Sequence, residues 1–266
     1  MSGSEHRDLL VETPAPGVRL ITFNRPHARN SLTLAMHAAF DALLSTLADD
    51  DDVRAVVLTG AGDKAFSAGY DIHEMKQFDA AALDAAQQRR ETWMWRLATY
   101  RKPLIGAING PAHGGGAIIA TALDLRVGCP ACDFRYTATA YGYANNTWQL
   151  APIVGLAKAK EYLFTARRID ADEAMRSGLL NACVPANELI GQAVALAAEI
   201  AANPAAGVQA TKQLLHDAIG DSYRGAYERE TALMHGALRP GAPTEIFKTF
   251  PQTAGRAEHE EKRDDR

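Results

Sequence analysis

The spacing of apolar and polar positions changes repeatedly up to Gly155 and then settles into one helical period. Val18–Phe23 alternates and is rich in branched side chains, which predicts a strand. Residues 24–31 (NRPHARNS) carry loop chemistry. From Leu32 to Ala48 apolar residues recur at helical spacing, with Ser31 as the expected N-cap. The acidic run Asp49–Asp52 ends that helix as a solvated turn. Ala55–Thr59 reads as a buried strand, followed by the loop GAGDKAFSAGYD. A helix from about Ala80 to Tyr100 leads to a strand over Pro103–Ile108. Three glycines then open a helix to about Leu123, and short strands are expected at Leu125–Val127 and Phe134–Tyr136. Beyond Gly155, residues 156–166, 171–178, 187–203, 205–219 and 223–238 all read as helices, one of them started by Pro204. An α/β core over residues 1–200 and a helical C-terminal segment over 201–266, ending in the charged tail AGRAEHEEKRDDR, follow from this order.

Composition narrows the classes. The chain has 266 residues, 47% of them hydrophobic and 23% charged, ordinary for a globular protein. A net charge of −4 gives no electrostatic case for nucleic acid or an anionic membrane as partner. MSGSEHRDLL lacks the apolar core and cleavage site of a secretory signal, and no apolar run reaches the length of a membrane span. A cytoplasmic location is expected.

The familiar cofactor motifs fit poorly. Cys129-Pro-Ala-Cys132 has no second ligand pair to complete a zinc site, so these cysteines and Cys183 read as ordinary thiols and no metal is expected. Gly60-Ala-Gly62 follows a strand, but Asp63-Lys64 stand where a dinucleotide-binding helix would open. No GxxxxGK[ST], HExxH or GxSxG occurs.

Two loops after buried strands do offer backbone donors: residues 66–73 (FSAGYDIH) and 113–116 (HGGG). In a layered α/β domain such loops converge on one crevice. Two N–H groups aimed at one oxygen form an oxyanion hole, commonly the largest catalytic contribution a site makes.

On this pairing the chain resembles the crotonase superfamily, which includes enoyl-CoA hydratases and isomerases. NRPxxxNxL, AFSAGYDI, KPLIGAINGPAHGGG and AKEYLFTARRIDADEAMRSGLLNACVP carry the resemblance, from about Val11 to Phe247. It implies an α/β fold with a ββα spiral core and a helical C-terminal trimerisation segment, assembled as a homotrimer or dimer of trimers. It further implies that the N–H groups of Tyr70 and Gly115 hold the thioester oxygen of an acyl-CoA and stabilise its enolate. His27, Ala28 and Arg29 would lie by the adenine and phosphate end of coenzyme A, with Ala68, Asp71 and Ile72 lining the same pocket. Coenzyme A enters as part of the substrate, and no permanently bound cofactor is implied.

Hydration of an enoyl thioester uses paired carboxylates as base and acid. In resembling hydratases one glutamate follows the glycine triplet; here that position is Ile118. The second lies after a strand ending near Phe134, yet no Asp or Glu occurs from Phe134 to Lys160. Standard two-glutamate hydration is therefore not expected. Tyr141, Tyr143, Asn145, Asn146 and Trp148 fill the gap, and Tyr143 and Asn145 are taken as catalytic candidates. His73 and His113 flank the two loops. His235 loosely matches a catalytic histidine of crotonase-like decarboxylases, though a structural role is the simpler reading. The rivals to a hydratase/isomerase-like enzyme are a decarboxylase or thioester hydrolase, or a non-catalytic acyl-CoA-binding homologue.

Overall fold

The computed structural model describes residues 7–238. They fall into two compact units, one up to Ile219 and one from Gly220.

In the first unit, β1 (Leu9–Ala15) pairs antiparallel with β2 (Val18–Phe23). Helix α1 (Leu34–Asp49) leads to β3 (Ala55–Gly60), and α2 (Ile72–Met75) and α3 (Ala80–Ala98) to β4 (Leu104–Ile108). A two-residue strand β5 (Ala112–His113) opens α4 (Gly115–Ala122), which is followed by β6 (Leu125–Gly128) and β7 (Asp133–Arg135). Then come α5 (Thr147–Val154), α6 (Leu156–Thr165), β8 (Ile169–Asp170), α7 (Ala171–Arg176), β9 (Ala182–Cys183), α8 (Leu189–Ala202) and α9 (Ala205–Asp217). Strands order as β1-β2-β3-β4-β6-β9 in one sheet and β5-β7-β8 in a second. From β2 to β9 the large sheet is parallel. Parallel strands covered on both faces need apolar residues at every position, and β3 and β4 are buried throughout.

Parallel pairing of β2 with β3 and β3 with β4 brings the loops after these strands to the C-terminal edge of the strands. Beneath that edge Phe23 packs edge-on to Phe40 at 5.2 Å, with Phe66 and Trp93 beside them. Lys102 is buried and donates to Leu47 O and Asp50 O, both at 2.6 Å. It satisfies carbonyls left open where α1 ends. Helix α9 is tied down by Lys212, whose Nζ lies 2.8 Å from Asp124 Oδ2 and 3.2 Å from Lys102 O.

Two expectations need correction. The α1 cap is Thr33, whose Oγ1 accepts from Met36 N at 3.2 Å. Ser31 is drawn away by Arg25 and Asp71, the better-matched charged partners. No element is predicted between Phe134–Tyr136 and Gly155, yet α5 starts at Thr147. Strand β1 was not expected: its residues do not alternate, and its pairing carries an irregularity between Glu12 and Ala15, as an edge strand tolerates.

In the second unit, α10 (Tyr223–His235) is capped by Ser222, whose Oγ accepts from Gly225 N at 3.0 Å. The expected charged tail lies outside the described residues.

Candidate active site

The loop after β2 is fixed by Asn30. It is fully buried and, like Arg29 before it, adopts a left-handed backbone (φ 53° and 51°). That conformation is uncommon without glycine, and hydrogen bonds from both side chain and backbone hold it here. Asn30 Nδ2 donates to Ala61 O and Ala65 O, Oδ1 accepts from Arg25 N, and the carbonyl accepts from Ser67 Oγ. The loops after β2 and β3 are thus one unit. Ala68 N donates to Arg29 O, Leu32 N to Gly69 O, and Asp71 N to Leu32 O. Between these pairs the Tyr70 N–H finds no acceptor among the described residues.

The glycine loop comes down on the same spot. His113 N donates to Ser67 O and Gly114 N to Arg135 O, and Ile118 N closes the first turn of α4 on Gly114 O. Gly115, the first residue of α4, keeps an unpaired N–H, as every helix start must. The two loops meet backbone to backbone. A Cβ on Gly69, where φ is +90°, would lie 2.7 Å from Gly115 N, and one on Gly116 would lie 2.2 Å from Ser67 O. Only glycine permits that approach. The Gly115 N–H at the start of α4 and the Tyr70 N–H, one residue on from Gly69, are thus both left unpaired on the two loops that meet here.

Beside them opens a pocket of about 180 Å³. Arg29, Lys64, His113, Arg135 and Arg168 line it together with Ala68. Arg168 forks onto Asp133 at 3.1 and 2.6 Å, and His113 Nε2 lies 2.6 Å from the same carboxylate. Burial opposes the charge on Asp133, but the hydrogen bonds from His113 and Arg168 outweigh it and bring its carboxyl down to about 2. The remaining cationic lining suits phosphate groups.

Arg29 and Ala68 thus share a pocket, with Ala28 half-buried and His27 exposed in the turn that leads to it. Ile72 is exposed. Asp71 is buried and faces inward. Its Oδ2 meets Arg25 Nη1 at 3.0 Å and Ser31 Oγ at 3.2 Å, while Oδ1 caps α2. Burial works against its charge, yet Arg25, the Glu74 N–H and Ser31 hold its carboxyl below the ordinary value. His73 is exposed on α2, and His235 is exposed in the second unit.

On α4, Ile118 is half-buried. One turn on, Thr121 Oγ1 lies 2.8 Å from the hydroxyl of the buried Tyr136 and accepts a long 3.4 Å contact from Asn146 Nδ2. Asn146 Oδ1 and both polar atoms of Gln149 are buried without partners among the described residues, the usual mark of a site for water or ligand. Tyr141, Tyr143, Asn145 and Trp148 are exposed in the chain as it stands. The inward polar groups of this segment are thus its neighbours.

A second cluster escaped the sequence reading. The Tyr70 ring lies over Gly115, with ring carbons 3.1–3.3 Å from where a Cβ would stand. The Arg90 guanidinium stacks on the same ring, 3.7 Å from its centre. His37 and Trp93 adjoin it, their rings 4.1 Å apart. The signal was in α3: Ala86, Arg90, Trp93 and Leu97 form a helical stripe that is otherwise core. A charge in such a stripe asks for a partner.

Among the described residues no three His, Cys, Asp or Glu side chains gather as a metal cluster. No single helix there is long and apolar enough to cross a membrane; the pair α8 and α9, bent by 106°, passes only on combined length and composition.

Loops at the ends of parallel strands, two unpaired backbone N–H groups and a pocket lined by cationic side chains together define an α/β protein with one candidate site. Comparison with known proteins makes this specific. The family profile "Enoyl-CoA hydratase/isomerase" matches residues 13–241, and the chain belongs to that family, within the crotonase superfamily. It is 36% identical over 202 residues to a short-chain-enoyl-CoA hydratase of Clostridium acetobutylicum, covering 75% of this chain and 77% of that one. To a putative enoyl-CoA hydratase of Thermus thermophilus it is 34% identical over 244 residues, covering 86% and 96%. The crystal structure of an enoyl-CoA hydratase from Bacillus anthracis superposes with a TM-score of 0.87 at 30% identity, over 91% of this chain and 95% of that one.

Proposed function

We propose that this chain binds acyl-CoA thioesters and stabilises their enolates between the N–H groups of Tyr70 and Gly115, by a reaction other than two-carboxylate hydration. The observation that supports this reading is the close approach of Gly69 to Gly115, with the N–H groups of Tyr70 and Gly115 both unpaired among the described residues. The thioester oxygen takes both hydrogen bonds as charge develops on it. The phosphates of coenzyme A are assigned to the cationic pocket of Arg29 and Lys64, with His27, Ala28 and Ala68 along the way and Ile72 and the buried Asp71 behind. Coenzyme A is then substrate, not resident cofactor. Family membership supports trimeric assembly through the helical C-terminal segment. The absence of a membrane-length helix among the described residues is compatible with a cytoplasmic enzyme.

Ile118 can neither take nor give a proton. The acyl end is assigned to the segment carrying Tyr143 and Asn145, whose polar groups are neutral, with Asn146 and Gln149 turned inward. Such groups orient a substrate without acting as a strong base. Decarboxylation is the second reading, favoured by the same lack of carboxylates, because loss of carbon dioxide forms the enolate with no base. Turnover on crotonyl-, malonyl- and methylmalonyl-CoA tests the proposal. General acid–base groups contribute about 10²–10⁴-fold each, so crotonyl-CoA hydration is expected to be weak. A hydration rate matching that of an ordinary hydratase would refute the mechanism.

A further inference from the structure

Arg90 makes no direct ion pair among the described residues. Its Nε and Nη2 are buried without hydrogen-bond partners, and its Nη1 reaches only the Met75 thioether, at 3.9 Å. Glu74 favours its charge through space, but that carboxylate is hydrogen-bonded to Leu34 N at 2.8 Å and does not reach the guanidinium. Around the guanidinium stand the Tyr70 ring, Trp93, whose Nε1 is likewise unpartnered, and His37, whose buried Nε2 has no partner. Burial, then Arg90 and Arg96, keep His37 neutral by lowering its pKa to about 4. None of these groups is an anion at neutral pH.

An arginine stays protonated in any protein environment, and burying guanidinium donors without partners is unfavourable. Stacking on one aromatic ring recovers only part of that. The location supplies the missing partner. The ring that carries Arg90 is the side chain of the residue whose N–H forms half of the oxyanion hole, and it also covers Gly115, the other half. A single aromatic ring therefore touches both the guanidinium and the backbone that receives the thioester. An anion attached to the acyl group would arrive at this point, while buried donors are poorly placed to capture a free anion from solution.

We propose that Arg90 is a specificity-determining residue that pairs with a carboxylate on the acyl chain, so that the substrates are carboxyacyl-CoA thioesters. The inference rests on the acyl-CoA reading above and deepens it. The carboxylate forms charge-assisted hydrogen bonds with guanidinium N–H groups that now have no acceptor.

The test measures binding of malonyl-, succinyl- and glutaryl-CoA against acetyl-, butyryl- and valeryl-CoA, with free coenzyme A as reference, by calorimetry on the full-length protein. At least one diacid thioester is expected to bind ten-fold or more tightly than the neutral thioesters. In R90Q that ratio collapses toward one, and in R90K it is intermediate. Circular dichroism and melting temperature establish that both variants are folded; should R90Q fail to fold, R90K and the wild-type ratio still decide. Equal affinity for diacid and neutral thioesters in the wild type, or a ratio unchanged in R90Q, overturns the role of Arg90 and leaves the acyl-CoA reading intact. No binding of any thioester or of coenzyme A overturns both.

Discussion

Lowering the pH from 7 to 5 should destabilise this fold through His37. The imidazole is 7% exposed, packs against Trp93 and has no partner for Nε2. Burial first, then Arg90 and Arg96, lower its pKa from 6.5 to about 4. In the unfolded chain His37 takes up a proton as the pH falls through 6.5; in the folded chain it resists until about 4. Stability is thus fully present above 6.5, falls across this window and levels off below it. At pH 5 the loss attributable to His37 is about 2 kcal/mol by linkage. Asp71, Asp133 and Glu173 all have lowered carboxyl pKa values, so their losses belong to more acidic conditions. Urea unfolding at pH 7 and pH 5, at one protein concentration because assembly couples to stability, would measure this for the wild type and H37Q. The wild type should lose about 2 kcal/mol more than the variant over this interval. Parallel losses in the two proteins would refute the reasoning, because they would place the titration elsewhere.

Gly69→Ala forces a side chain into a backbone with φ +90° and within 2.7 Å of Gly115 N, so it should move the two donors apart. Turnover of any accepted thioester should fall by about 10²–10³-fold, measured on protein whose circular dichroism shows it folded. Thr33→Ala removes the α1 cap and should cost about 1 kcal/mol in urea unfolding, an assay that also checks whether Thr33 rather than Ser31 carries that role.

Short-range physics made much of the fold legible in the sequence. The period of the apolar pattern predicted β2, β3, β4, α1, α3 and the helices after Gly155 to within a few residues, because each buries a regular stripe or a whole strand. The two donor loops were legible for a related reason. Glycines at 69 and 114–116 are residues that strands and helices disfavour, so their presence marked backbone under a special constraint. Elements without a regular stripe were harder to read: β1 lies at a sheet edge, and α5 carries Pro152 in its interior.

What the tertiary structure decided is which groups meet. The sequence could name Tyr70 and Gly115 only through resemblance; their contact depends on Asn30 locking two loops and on Gly116 lying against the Ser67 carbonyl. It put Tyr143 and Asn145 ahead of Asn146, since composition cannot say which side of a turn faces inward. The placement of Arg90 is the clearest case. Locally it is one arginine in a polar helix, and nothing in α3 says that its guanidinium ends on the ring of Tyr70. Periodicity is written within one element, whereas the partner of a charge is set by how separate elements pack.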